Sequence, residues 1–286
     1  MHIKKKITVG WLAVTVLAVT ACGQQAGEET VGIETSAGNP FGHVHGLSFV
    51  ESSQQLLLAT HEGLFDVTDE SIEKVSPTLD LMGFAEASAD LYYASGHPGP
   101  GSELPNPLGL VKSTDGGETW QELSRQGESD FHTMTVSSEG IFGFDGTLRL
   151  TGDGEEWTEV EAPFQPANLS AYVDSPAVLA TTEEGVQRST DGGLTWELSA
   201  DSPVLLLTTF ADEATVAGVS PDGVIYTSQD AGQTWEEAGG TTAAPAALAA
   251  TTEGENGLRV WVSTEKGIEY SEDGGASFTT TVRAGQ

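Results

Sequence analysis

STDGGETW, at residues 113–120, returns as STDGGLTW at 189–196, as SQDAGQTW at 228–235 and as SEDGGASF at 271–278. A shortened form, TGDGEEW, stands at 151–157. The aromatics that close the copies (Trp120, Trp157, Trp196, Trp235 and Phe278) are spaced by 37, 39, 39 and 43 residues. A period near forty residues is the length of one four-stranded propeller blade. Within each copy, the Ser and Asp side chains suit hydrogen bonding to the backbone of a tight turn, and Gly supplies positive φ. The aromatic is expected to point back into the blade core. Asp115, Asp153, Asp191, Asp230 and Asp273 are therefore read as structural turn caps and not as catalytic groups.

The same context surrounds each copy: two apolar strands, a Gly-centred turn, a third strand, the octapeptide and a fourth strand. The fourth unit reads NLSAYV, AVLATT, EEGVQRS and, after its octapeptide, WELSA; the sixth reads AALAATT, LRVWVST, EKGIEYS and FTTTV. Short alternating runs punctuated by Gly, Asp and Pro are strand signals. The first unit lacks the octapeptide but keeps VHGLSFV, QLLLATH and EGLFDV, and the second reads LMGFAEA, LYYASG and LGLVKS. Residues 41–286 are thus expected to fold as an all-β, six-bladed β-propeller. Whether residues 30–34 add a strand that closes the ring stays open at this stage.

The octapeptide resembles the Asp-box, or BNR repeat, of sialidase-like propellers. Together with GHVHGL at residues 42–47 and ATHEGLF at 59–65, it resembles a bacterial family of glycosylhydrolase-like, sialidase-like propeller lipoproteins across essentially all of residues 41–283. That resemblance implies the propeller fold and a surface location. Its hydrolase label is a fold-level analogy. The arginines, Arg125, Arg149, Arg188, Arg259 and Arg283, include none in an F/Y-R-I-P segment at the start of the first blade, so sialic acid hydrolysis is not expected.

Ahead of the repeats, Lys4, Lys5 and Lys6 precede an apolar run and then VTAC, ending at Cys22, the only cysteine. A basic start, a short apolar stretch and small residues before a cut mark an export signal. VTAC resembles a bacterial lipobox. Residues 1–21 are read as a lipoprotein signal peptide, with lipid carried on Cys22 and residues 22–40 as a Gly/Ser/Thr-rich flexible tether. The protein is expected to be exported and held to the outer face of the cell membrane by that lipid. With no second cysteine, no intrachain disulfide is available and the core must supply stability.

The chain carries 11 Lys and Arg against 43 Asp and Glu, a net charge of −32. The signal contains three lysines and no acid, so its removal leaves the remainder more acidic still. Such a surface repels phosphate backbones, which excludes nucleic acid as a partner. The excess acid otherwise serves solubility.

The histidines supply the candidate chemistry. Numbering the strands of a blade A to D from the channel outward, the octapeptide marks the C–D turn, and the starts of A and ends of B lie on the opposite face. His43 and His45 open strand A of blade one, and His132 opens strand A of blade three. His61 ends strand B of blade one, where blades four and six carry Thr182 and Thr264, and His97 ends strand B of blade two. Met82 falls at the register of His45 and His132, and Asp80 and Asp130 lie just ahead of strand A in blades two and three. Imidazole is a ligand for copper and zinc, and a nearby thioether tilts the choice towards copper. His45 and His132 are expected as central metal ligands, with His43, His61 and His97 around them. The Pro-rich loop at residues 96–108 is read either as a rim of this site or as a passive insertion.

The leading functional expectation is a cell-surface propeller that binds a small-molecule, glycan or protein ligand through a histidine-held transition metal. The alternatives are an extracellular glycoside hydrolase or lyase, with no catalytic residue assigned, and a protein-interaction scaffold.

Overall fold

The computed structural model describes residues 42–69, 72–241, 243–252 and 257–283. The signal, Cys22 and tether expectations lie outside these residues. Blade one comprises β1 (Val44–Val50), β2 (Gln55–Thr60), β3 (Gly63–Asp66) and β4 (Glu73–Lys74). Blade two comprises β5 (Leu79–Ser88), β6 (Leu91–Pro98), β7 (Leu110–Ser113) and β8 (Gln121–Ser124). Blade three holds β9 (Thr133–Ser137), β10 (Gly140–Phe144), β11 (Leu148–Thr151) and β12 (Thr158–Glu159). Blade four holds β13 (Asn168–Ala171), β14 (Val178–Thr182), β15 (Gly185–Ser189) and β16 (Glu197–Leu198). Blade five holds β17 (Leu207–Phe210), β18 (Val216–Val219), β19 (Val224–Ser228) and β20 (Glu236–Gly240). Blade six ends the series with β21 (Pro245–Thr251), β22 (Arg259–Thr264), β23 (Gly267–Ser271) and β24 (Thr279–Arg283). Each blade is an antiparallel sheet whose strands pair in chain order.

The six innermost strands, β1, β5, β9, β13, β17 and β21, line a central channel with a cavity of about 410 Å³. Apolar packing lies mainly between blades. Leu57, Ala59 and Leu64 of blade one pack with Leu81, Ala94 and Val111 of blade two. Phe142 and Leu148 of blade three meet Leu169, Val178 and Ala180 of blade four. The second strands of blades one and four are buried on both faces, so they read as near-continuous apolar runs.

The repeated octapeptide performs the expected capping with one difference in direction. Ser113 Oγ donates to Asp115 Oδ1 at 2.8 Å and accepts from Gly117 N at 2.8 Å. Asp115 Oδ1 accepts from Thr119 N at 2.9 Å. The same set recurs around Asp191, Asp230 and Asp273, and Thr151 with Asp153 forms a shortened version. The aromatics, expected inside their own blades, pack instead at the interface with the preceding blade. Trp120 joins the cluster between blades one and two, and Trp196 joins that between three and four. The octapeptide glycines explain this close seating. Gly193, at φ +83°, lies where a Cβ would come within 2.8 Å of Phe142 in blade three.

The ring closes by packing of whole blades. Leu47, Leu56, Leu58 and Phe65 of blade one share a core with Ala247, Ala249, Trp261 and Ile268 of blade six. Phe49 stacks on Trp261 at 4.7 Å, and Thr251 Oγ1 donates to Glu51 Oε1 at 2.7 Å. Among the described residues, each blade is built from one consecutive stretch of chain and no strand is exchanged across the closure.

Candidate functional site

The octapeptide turns bond to the A–B turns of their own blades, as in Gly116 N to Asp90 O at 3.1 Å and Ala231 N to Ala214 O at 2.8 Å. They therefore occupy one face of the ring. The B–C turns and D–A connections occupy the other, and the five histidines gather there around the channel mouth.

β1 begins at Val44, so His43 stands just outside the strand and His45 within it. Both rings stack on His61, at centroid distances of 4.7 and 4.6 Å with interplanar angles of 14° and 13°. His61 thus lies between two imidazoles. The strand register shifts its sequence assignment by one position. Thr60 pairs with Gly63 as Thr182 pairs with Gly185 and Thr264 with Gly267, so Thr60 is the equivalent of those threonines. His61 is the first residue of the turn that follows.

Asp80, on β5, is the carboxylate these rings face. His45 Nε2 stands 3.9 Å and His61 Nε2 3.6 Å from Asp80 Oδ1. The three atoms lie within 4.8 Å of one another. Burial, and then the neighbouring imidazoles of His61, His43 and His132, pull the His45 pKa down to about 4. At neutral pH the His45–Asp80 contact is therefore not an ion pair. Burial raises the Asp80 carboxyl, against the opposing pull of His61 and His97.

A second group sits beside the first. His97 lies opposite Asp80 in the β5–β6 pairing. Its Nε2 is 3.3 Å from Asp130 Oδ2, and His132 Nε2 is 3.4 Å from the same oxygen. Asn106 Oδ1 lies 2.7 Å from His97 Nδ1, so the Pro-rich loop supports the site. His45 and His132, expected to share one centre, fall into different His–carboxylate groups. Met82 lines the channel with both.

Sequence reasoning placed Asp80 and Asp130 near the histidines without assigning them a part in the site. It passed over Asn106, and it passed over Glu86 inside LMGFAEA. Glu86 and Glu51 line the channel with Ser48, whose Oγ donates to Glu86 Oε2 at 2.7 Å. Burial pushes the Glu86 carboxyl up to about 7, against the Ser48 hydrogen bond. An acid inside the apolar run LMGFAEA was the available signal.

The BNR/Asp-box repeat model matches residues 111–122 and 187–198. Over 102 residues the chain is 32% identical to the photosystem II assembly lipoprotein Ycf48 of Synechococcus sp. (strain CC9902), covering 32% of this chain and 31% of that protein. The match therefore spans about a third of the relative's length. A solved structure of YCF48 bound to D1 peptide superposes with a TM-score of 0.54 at 17% identity, covering 83% of this chain and 81% of that one. The GH74 xyloglucanase of Xanthomonas campestris superposes at 0.56 and 15% identity, covering 85% of this chain and 45% of that one. At these identities the two superpositions speak to the fold alone. The matched repeats and the blade order make this chain a six-bladed β-propeller with BNR/Asp-box repeats.

Proposed function

We propose that this propeller is a protein-interaction module that holds a polypeptide segment of a partner at its histidine-lined mouth. The observation that carries the reading is the concentration of half-exposed imidazoles and partly buried carboxylates on the face away from the structural Asp-boxes. Such a surface offers hydrogen-bonding and stacking groups on a rigid frame. The sequence likeness to a photosystem II assembly lipoprotein, though it spans about a third of that relative, supports a polypeptide ligand. The net charge of −32 selects against strongly acidic partners through like-charge repulsion.

Export and a lipid on Cys22 belong to the same proposal, because they would station the mouth at the membrane surface. Cys22→Ala protein should then leave the membrane fraction, and retention at the wild-type level would contradict the anchor. The interaction itself is tested by affinity capture from the cell envelope with the wild-type chain and a His97→Ala/His132→Ala variant. The expected result is a defined partner retained by the wild type and lost by the variant while thermal stability is unchanged. Equal recovery by both proteins would remove the mouth from the interaction.

A further inference from the structure

His45 Nε2 and Asp80 Oδ1 are both buried and make no hydrogen bond to protein. They face each other at 3.9 Å, with His61 Nε2 at 3.6 Å from the same oxygen. These separations are too long for hydrogen bonds between the groups. A buried polar atom left unmet costs roughly 1–3 kcal/mol, so two of them aimed at one point call for an occupant. A tetrahedral zinc ion with bonds of about 2.0–2.1 Å holds its ligand atoms about 3.3 Å apart, so the cluster, at 3.9 and 3.6 Å with all ligand atoms within 4.8 Å, must contract to close on an ion. We propose that the mouth binds a divalent transition metal ion of the zinc class through His45 Nε2, His61 Nε2 and Asp80 Oδ1.

The donor set is two imidazoles and one carboxylate, a combination that leaves at least one coordination position open towards the channel mouth. No thioether is among the three, so the set has no soft ligand that would select copper(I). The stacked rings set one requirement. Two nearly parallel imidazoles cannot both aim their in-plane lone pairs at one ion, so one ring must turn. His61 is the one placed to do so, because it lies in a turn and its side chain is 41% exposed, against 17% for His45. His97, His132 and Asp130 form a separate group whose removal leaves the three ligands in place.

The test uses the full-length chain in detergent, purified without a polyhistidine tag, stripped with chelator and titrated with zinc or cobalt(II) alone at pH 7.5. Excess magnesium is present throughout to occupy the exposed carboxylates. The expected result is at least one equivalent of zinc and a visible cobalt(II) band characteristic of low coordination number. Asp80→Asn and His61→Ala should each weaken binding at least about tenfold, by loss of a direct ligand. The His97→Gln/His132→Gln control should retain one equivalent. Circular dichroism melts establish that each variant is folded, and the near-isosteric Asp80→Asn keeps the test available if a histidine variant unfolds. Absence of zinc binding at about 100 µM would overturn the proposal, as would binding unchanged in both ligand variants or lost only in the control. Because metal alone is the probe, the outcome is independent of whether a polypeptide partner binds the same face.

Discussion

Asp80 and Glu86 lie on the same inner strand, and their surroundings give them different work. Asp80 faces the histidine rings at the mouth, whereas Glu86 lies in the channel beside Ser48 and near the charge of Glu51. The sign of the Glu86 effect follows from its raised pKa of about 7 against the usual 4.5. Between these values the folded state keeps a proton that the unfolded state releases, so stability should fall as pH rises through that window and then level. Glu86→Gln should remove this slope and raise the melting temperature at pH 8 by a few degrees. Melts from pH 4.5 to 8 check it, and parallel wild-type and variant curves would contradict it. At this scale the sequence placed all five histidines on one face, because each sits at a strand end whose direction the repeat defines. It did not assign the carboxylates their partners. Which side chains converge across a channel depends on ring curvature and on which blades stand side by side.

The Asp-box acts at the level of the element, joining the third strand to the fourth and seating the turn on the blade before. Thr195 Oγ1 and N both donate to Asp191, and these bonds, led by that from the Thr195 side chain, hold the Asp191 carboxyl below its ordinary value. A depressed carboxyl pKa contributes stability that is present above the unfolded value and lost as pH falls through the folded one. Asp273, held down to about 2, places that loss between about pH 4 and 2. Asp191→Ala should accordingly lower the melting temperature at neutral pH by a few degrees and flatten part of the acid limb. Partner and metal binding should remain unchanged, since the box lies on the opposite face. A folded variant with wild-type stability and no binding would make that box a functional element. The elements themselves were legible because Gly-centred turns and apolar runs repeat nearly unchanged between blades. Two errors had different sources. The one-residue misplacement of His61 overlooked the β2–β3 register within blade one, whereas the inward assignment of the tryptophans treated a blade as self-contained although inter-blade packing decides their position.

Across the whole molecule, six inter-blade cores make a rigid frame, and its two faces divide the work. The Asp-box face holds repeated turns whose Ser or Thr and Asp side chains are hydrogen-bonded within the turn, and the mouth gathers the histidines and two partly buried carboxylates. Blade number and order were readable from the period. The manner of closure was not, because blades one and six meet through Leu47, Phe49 and Trp261, residues that carry no closure signature. The central claim is that the mouth, and not the Asp-box face, receives a polypeptide partner. The most direct measurement is photo-crosslinking in intact cells from a photoreactive residue at position 132, with a matched one at position 194. His132 is 60% exposed at the mouth, and Leu194 is 81% exposed in an Asp-box turn. The account predicts a discrete crosslinked protein from position 132 and none from position 194. A discrete product from position 194 alone, or none from either position, would contradict it.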